Sequence, residues 1–396
     1  MENGQRILII PSWYPPDGGY FFKEHSEAIS EKGWTVDVLV IRVVGIRKLI
    51  QAGVRALRKT RIHEENGLRV LRSVFIKAPG SEKLNIRRWS RQTRRLYGQY
   101  EKRFGKPDLI LAHSVTWAGY AASLIREEYG IPYLVVEHRS FFVWSTERAR
   151  NLVKPYHLPF FEQAYRGCEK LVLVSGSLMT GLKTLMPWIE EKTMVIPNMI
   201  REDMFLPPDA PRKPDPFIFI WAGRFEHVKG IDLLLHAVKA LQENIGKPFR
   251  VRLAGKGSLR AELEQQAEDL GVSGLVKFLG RITRDEMQQE MHDANCFVLP
   301  TRYEAFGAVL IEAMAAGLPV IATRSGGPDT IVTAESGLLI DTENAAQLAG
   351  AMEQMITSYD TYSQEGIRAG TIEQYGQASV MQQYHELFLH LLSSTR

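Results

Sequence analysis

Short apolar runs alternate with helical patterns along almost the whole chain. In the first half the runs ILII (7–10), VDVLVI (36–41), LRVLRSVF (68–75), LILA (109–112), YLVVE (133–137), LVLVS (171–175) and MVIP (194–197) read as strands. Apolar residues spaced three and four apart predict helices between them, such as 22–32, 116–129 and 177–185. The stretch 201–216 holds five prolines and little periodicity, so it reads as a linker. The alternation then restarts. FIFIWAG (217–223), VRLAG (251–255), VKFLG (276–280), FVLP (297–300), PVIAT (319–323) and GLLI (337–340) read as strands. Helices near 230–244, 258–270, 284–293, 307–316 and 344–357 separate them.

Strands alternating with helices predict parallel sheets wrapped by helices. The chain is therefore expected to be α/β, with two doubly wound, Rossmann-like domains in series. They should face a central cleft at the carboxyl ends of both sheets. The expected organisation is a first domain over 1–200, a linker over 201–216, a second domain over 217–375 and a last helix over 376–396. That helix places Val380, Tyr384, Leu387, Phe388, Leu391 and Leu392 on one face, so it must dock on something.

Composition agrees with two full cores: 396 residues, 45% hydrophobic and 24% charged. The two cysteines, Cys168 and Cys296, each precede an apolar run and suggest buried small residues in a reducing compartment. The apolar stretch near the N-terminus ends at Pro11, after four residues, and reads as a first strand rather than a signal peptide. No run approaches the roughly 20 apolar residues of a membrane span. A cytoplasmic location is expected.

The net charge of +4 is unevenly placed. Residues 42–106 hold 19 Lys and Arg against 4 Asp and Glu. In this stretch Ile46, Leu49, Ile50, Ala56 and Leu57 alternate with cations, and a second basic helix over 87–104 adds Trp89, Leu96, Tyr97 and Tyr100. Such helices suit an anionic membrane face, with apolar groups in the interface and cations at headgroups. Packing of the same apolar face on a sheet is the alternative. Nucleic acid is disfavoured, because aromatics are few there.

The sharpest chemical signal is Glu312, in FGAVLIEAMAAG (306–317), where every other position is apolar or glycine. A helix of that composition is buried, and an unpaired buried carboxylate is costly. No Lys or Arg lies within a turn, so Glu312 calls for outside donors such as ligand hydroxyls. Glu304 stands in the loop feeding the same helix. Arg224 and Lys229, in WAGRFEHVKG, follow the first strand of the second half, where a fork and a point charge suit phosphate. A solvated surface loop would carry them equally well. AGKGSL (254–259) has glycine spacing that also serves simple turns. Gly280, Arg281 and Ile282 follow a strand, where backbone groups can meet a base edge. Gly18 and Gly19 open the loop after the first strand. His113 and His138 end two strands and are expected at the cleft edge, as hydrogen-bonded structural residues or as part of the site.

In this order the pieces resemble glycosyltransferase family 4 of the GT-B superfamily, over nearly the whole chain. The most specific part is EAFGAVLIEAMAAGLPVIATRSGG (304–327), similar to the family's Glu-x7-Glu motif. Supporting it are the first-loop glycines, EH (137–138), VSGS (174–177), IPN (196–198), GRFEHVKG (223–230), AGKGSL and FLGRI (278–282). The resemblance implies that Arg224 and Lys229, beside Gly223, hold a donor diphosphate. It places Glu304 and the amides of Phe306, Gly307, Ala308 and Val309 at the donor sugar. It places Glu312 at the ribose and His138 beside the sugar; Arg281 and Ile282 remain candidates for the base by their position after a strand. It also implies that the last helix crosses back to the first domain. Ala305 and Met199 depart from the family's usual glycines.

The expected function is transfer of a sugar, with retention, from a nucleotide-diphosphate sugar to an acceptor. UDP is the favoured carrier, and a lipid-linked or cell-surface glycan acceptor is plausible at the inner face of the plasma membrane. No Asp-x-Asp occurs, so neither a metal nor another cofactor is expected. The rival readings are a GT-B epimerase or phosphorylase, and a non-catalytic partner subunit.

Overall fold

The computed structural model describes residues 4–16, 18–45, 60–143, 150–210, 212 and 215–393. The first basic helix expected, over 46–59, lies outside the described residues.

Eight strands form the first sheet: β1 Arg6–Pro11, β2 Thr35–Val44, β3 Arg61–Glu65, β4 Leu68–Ile76, β5 Leu109–His113, β6 Tyr133–Glu137, β7 Lys170–Leu173 and β8 Thr193–Val195. Their order is β3-β4-β2-β1-β5-β6-β7-β8. All neighbours are parallel except β3 and β4. The second sheet holds β9 Phe217–Arg224, β10 Phe249–Lys256, β11 Val276–Gly280, β12 Cys296–Leu299, β13 Val320–Thr323 and β14 Gly337–Ile340. It is parallel throughout, in the order β11-β10-β9-β12-β13-β14. Strand order reverses between β1 and β5 in one sheet and between β9 and β12 in the other. A crevice opens at each reversal, and ligands of such sheets bind there.

Three details differ from the sequence reading. β3 was not expected; Asn66 and Gly67 turn it onto β4 with φ of 52° and 79°, a backbone that Asn-Gly adopts readily. The helix expected over 116–129 is regular only from Tyr120 to Tyr129. Before it, Ser114 and Trp117 take positive φ, and the Glu137 carboxylate accepts from Val115 N at 2.9 Å. The helices Leu158–Gly167 and Gln364–Tyr375 also went unread.

The second basic helix begins five residues earlier than its pattern, at Glu82, where Ser81 Oγ accepts from Leu84 N at 3.2 Å. The four apolar residues of its pattern are not available to a lipid interface, which corrects that part of the membrane reading. Trp89, Leu96, Tyr97 and Tyr100 are buried in the core of the first sheet. Trp89 Nε1 donates to Ile41 O at 3.2 Å and Tyr100 Oη to Asp37 at 2.6 Å. Packing on the sheet wins because it removes those rings from water completely.

The last helix, Gln377–Ser393, returns to the first sheet's side. Tyr384 lies edge-on to His25, and Phe388 to Trp34, in and after the helix Tyr20–Glu31. Trp34 Nε1 donates to His385 Nδ1 at 3.1 Å.

Candidate active site

The loops after β9 and β12 flank the crevice of the second sheet, and they carry Lys229 and Glu304. Lys229 Nζ lies 2.5 Å from Glu304 Oε2. Gly230 makes this approach possible. Its φ is 66°, and a Cβ there would stand 1.9 Å from Pro300 O, so only glycine fits. Arg302 then locks the two loops together. Its backbone N donates to Val228 O at 2.9 Å, and its guanidinium binds both Asp232 oxygens at 2.9 and 2.7 Å and Glu343 at 2.6 Å. Sequence reasoning missed Arg302, because its partners lie 70 and 41 residues away and no local pattern joins them.

Arg224 ends β9 with its side chain 74% exposed, held loosely to Glu226 at 3.2 Å. Gly223 and Arg224 line a cavity of about 290 Å³ with Gly255, Lys256, Arg281 and Ile282. The structure thus brings Gly223 and Arg224, expected at the diphosphate, together with Arg281 and Ile282, expected at the base, while Lys229 lies outside that lining, paired with Glu304. Glu304 stands in the loop after β12. Its own Oε1 accepts from Ala305 N at 3.2 Å, and its backbone pairs with Ser325 and Gly327. Phe306 is buried, Gly307 turns with φ of 101°, and Ala308 and Val309 open the helix Ala308–Ala315. The first N–H groups of that helix lack intrahelical acceptors and present a positive end to the crevice.

Glu312 is half-buried on this helix. Burial pushes its carboxyl up to about 7; Arg284 draws it down and Glu24 raises it further. Both neighbours escaped the sequence reading. Glu24 belongs to the helix Tyr20–Glu31 and Arg284 to the helix Arg284–Asp293, and the two form an ion pair across the cleft. The TRDE stretch that caps the second helix was readable; the pairing with a residue 260 positions earlier was not.

On the first sheet, Gly18 and Gly19 follow β1. A Cβ on Gly19 would meet Trp13 O at 2.7 Å, so this glycine serves a tight turn, while Gly18 faces open space beyond the Trp13 ring. Neither is brought against Arg224 or Lys229 by any contact among the described residues. Glu137, buried at the end of β6, pins the adjacent loops. Its Oε1 accepts from His138 N and Arg139 N at 3.1 and 2.9 Å, and its Oε2 from Val115 N and Tyr165 Oη at 2.9 and 3.1 Å.

The two strand-end histidines differ from each other. His113 is fully buried and hydrogen-bonded, the structural one of its two expected roles. It links two others: His25 Nδ1 lies 3.4 Å from His113 Nε2, and His113 Nδ1 lies 3.0 Å from His138 Nε2. Burial drives all three well below the ordinary histidine range, so they are neutral. His138, half-buried, is the member nearest the cleft, beside Asn198 and Met199. The VSGS loop meets the second sheet directly, where Ser175 Oγ donates to Ala305 O at 2.6 Å. Among the described residues no group of three His, Cys, Asp or Glu side chains could hold a metal ion.

Two family models match consecutive parts of the chain. The model of glycosyltransferase family 4 matches residues 19–203, and that of glycosyl transferases group 1 matches 205–369. The putative teichuronic acid biosynthesis glycosyltransferase TuaC of Bacillus subtilis is 26% identical over 380 residues, 90% of this chain and 89% of its own. Two archaeal relatives, each 27% identical, are matched over only 66% and 63% of their length. Among solved structures, sucrose-phosphate synthase from Thermosynechococcus elongatus superposes with a TM-score of 0.79 at 21% identity, covering 98% of this chain and 100% of that one. Anabaena HepE in complex with UDP-glucose gives 0.72 at 19% identity, covering 97% and 99%. These likenesses establish the GT-B fold: two Rossmann-like sheets across a cleft. The chain belongs to glycosyltransferase family 4, the group 1 glycosyl transferases of the GT-B superfamily.

Proposed function

We propose that this glycosyltransferase moves a sugar, with retention of configuration, from a nucleoside-diphosphate donor to an acceptor held on the first sheet. The observation that carries the reading is the contact of Lys229 with Glu304, four residues before the helix Ala308–Ala315, with Arg224 lining the 290 Å³ cavity at the end of β9. In this reading the cations and the helix end act on one place, where a diphosphate gains charge as its bond to the sugar breaks. Glu312 offers a carboxylate to the ribose hydroxyls. Glu304 and the helix amides orient the sugar, with His138 on the opposite side. UDP is favoured as the carrier because HepE, of the same fold, was solved with UDP-glucose.

In the transfer, the bond from the sugar's anomeric carbon to the donor phosphate oxygen breaks. The acceptor oxygen bonds to that carbon on the same face, and its proton passes to the leaving phosphate. Fixed charge from Arg224, Lys229 and the helix end is the main protein contribution, so no metal is required. Residues 1–200 would bind the acceptor, 217–375 the donor, with 201–216 linking them and 376–396 tying the halves together. We place the protein in the cytoplasm, with charge-driven attachment to an anionic membrane face through the exposed cations of Glu82–Phe104. No helix among the described residues is long and apolar enough to cross a membrane.

A panel of nucleotide sugars, read by nucleoside-diphosphate release and by direct binding, tests the proposal. One donor should bind and turn over slowly even without acceptor, in excess EDTA. Absence of binding across the panel would refute it.

A further inference from the structure

Arg139 is a cation at the carboxyl edge of the first sheet that no part of the donor site uses. It directly follows His138 at the carboxyl end of β6, and its backbone is fixed by the 2.9 Å bond to Glu137. Its guanidinium carbon lies 4.1 Å from the centroid of the Phe141 ring and 5.8 Å from that of Trp13. Trp13 belongs to the loop that carries Gly18 and Gly19. Two aromatic faces thus hold the planar group in place before any ligand arrives.

What the guanidinium lacks, among the described residues, is a hydrogen-bonded anion, although Glu137 and Glu82 act on it electrostatically. It is half-buried, yet none of its side-chain donors reaches an acceptor among the described residues. The carboxylates nearby hydrogen-bond to other groups. Both oxygens of Glu137 are taken by Val115, Tyr165 and two backbone amides. Glu82 accepts from Tyr156 Oη at 2.7 Å. Burial lowers the Arg139 pKa from its ordinary value and outweighs the opposing pull of Glu137 and Glu82. Such a fork suits the paired oxygens of a phosphate or carboxylate.

Position decides which substrate supplies that group. The donor's cations, Arg224 and Lys229, stand on the second sheet at the β9/β12 crevice. Arg139 stands on the first sheet, one residue from His138. We propose that Arg139 binds an anionic group of the acceptor, a phosphate or a carboxylate, and selects acidic acceptors over neutral ones. This rests on the glycosyltransferase reading above.

The test uses three probes that differ only in charge and its source: glucose, glucose 6-phosphate and glucuronate. Each is titrated into the whole protein held at saturating UDP, with the wild type, Arg139→Gln and Arg139→Lys compared. The wild type should bind at least one acidic probe about tenfold or more tighter than glucose, the worth of one charge-assisted fork. Which acidic probe wins separates phosphate from carboxylate. Arg139→Gln should lose the preference, and Arg139→Lys should keep part of it. Equal binding of all three probes by the wild type would overturn the proposal, as would a preference that survives Arg139→Gln. A loss of UDP affinity in Arg139→Gln would move Arg139 to the donor and also overturn it. If the wild type fails to bind any nucleotide, the function proposed above fails instead, and the probes still report on Arg139 without UDP.

Discussion

Lys229 Nζ and Glu304 Oε2 are 2.5 Å apart, although one comes from the loop after β9 and the other from the loop after β12. Each is the counter-ion of the other, so a donor must be accommodated by a pair that is already formed. Removing either partner leaves the other charge unbalanced in a half-buried place. Lys229→Ala should lower turnover about tenfold to a thousandfold, by analogy with the loss of one oxyanion donor. Arg224→Ala should do the same with no change in melting temperature, since its side chain is exposed. Near-normal turnover of both at saturating donor would place the diphosphate elsewhere.

Glu312→Gln should weaken nucleotide binding, because charge-assisted bonds of about 1.5–3 kcal/mol are lost. It should also change how stability depends on pH. The folded carboxyl is raised to about 7, above its ordinary 4.5. Its contribution to stability is therefore full below pH 4.5 and is lost as pH rises through 7. The variant should melt at a higher temperature than the wild type at pH 8, and the difference should shrink towards pH 4.5. Thermal melts across this range check the sign.

The buried histidines titrate in the opposite sense. His25 is lowered to about 3 by burial, while its unfolded value is near 6.5. Below pH 6.5 the unfolded chain takes up protons that the folded chain refuses, so stability should fall as pH drops from 6.5 towards 3. In His25→Phe this acid loss should be smaller. A loss as steep as that of the wild type would show that His25 is not held neutral.

Glu24 and Arg284 join the two halves beside Glu312. A double-mutant cycle with Glu24→Gln and Arg284→Met, read by UDP affinity, should show coupling on the order of 1 kcal/mol. Strictly additive effects would mean that the pair does not influence the donor site.

Membrane attachment should be electrostatic alone. The rings of Glu82–Phe104 are in the core, but Lys83, Arg87, Arg88, Arg91 and Arg95 are exposed and make no carboxylate ion pair among the described residues. Co-sedimentation should rise with the anionic content of vesicles, at about 1 kcal/mol per cation near the surface. High salt should release the protein completely. Binding that survives salt would require an apolar anchor outside the described residues.

The alternation of apolar runs made both sheets readable, because a buried parallel strand is a short continuous hydrophobic segment. Glu312 was readable for a related reason: one carboxylate in an otherwise apolar helix has no local explanation. β3 escaped because its burial is slight and its pattern, RIHEE, is mostly polar, although the Asn-Gly that follows signals a hairpin. The ion pairs that shape the site were out of reach. Arg302 with Asp232, Glu24 with Arg284, and His25 with His113 unite residues that only the packed sheets bring together. The same limit explains why the basic helix was open to two readings. Periodicity shows that a helix has an apolar face, not what covers it.

Calorimetric titration of UDP and a UDP-sugar into the wild type, Lys229→Ala and Glu312→Gln tests the central claim most directly. The account expects one saturable site in the wild type, weakened about tenfold or more by Glu312→Gln for both ligands, with Lys229→Ala weakening both as well. Undiminished affinity in both variants would contradict it and move the donor away from the β9/β12 crevice.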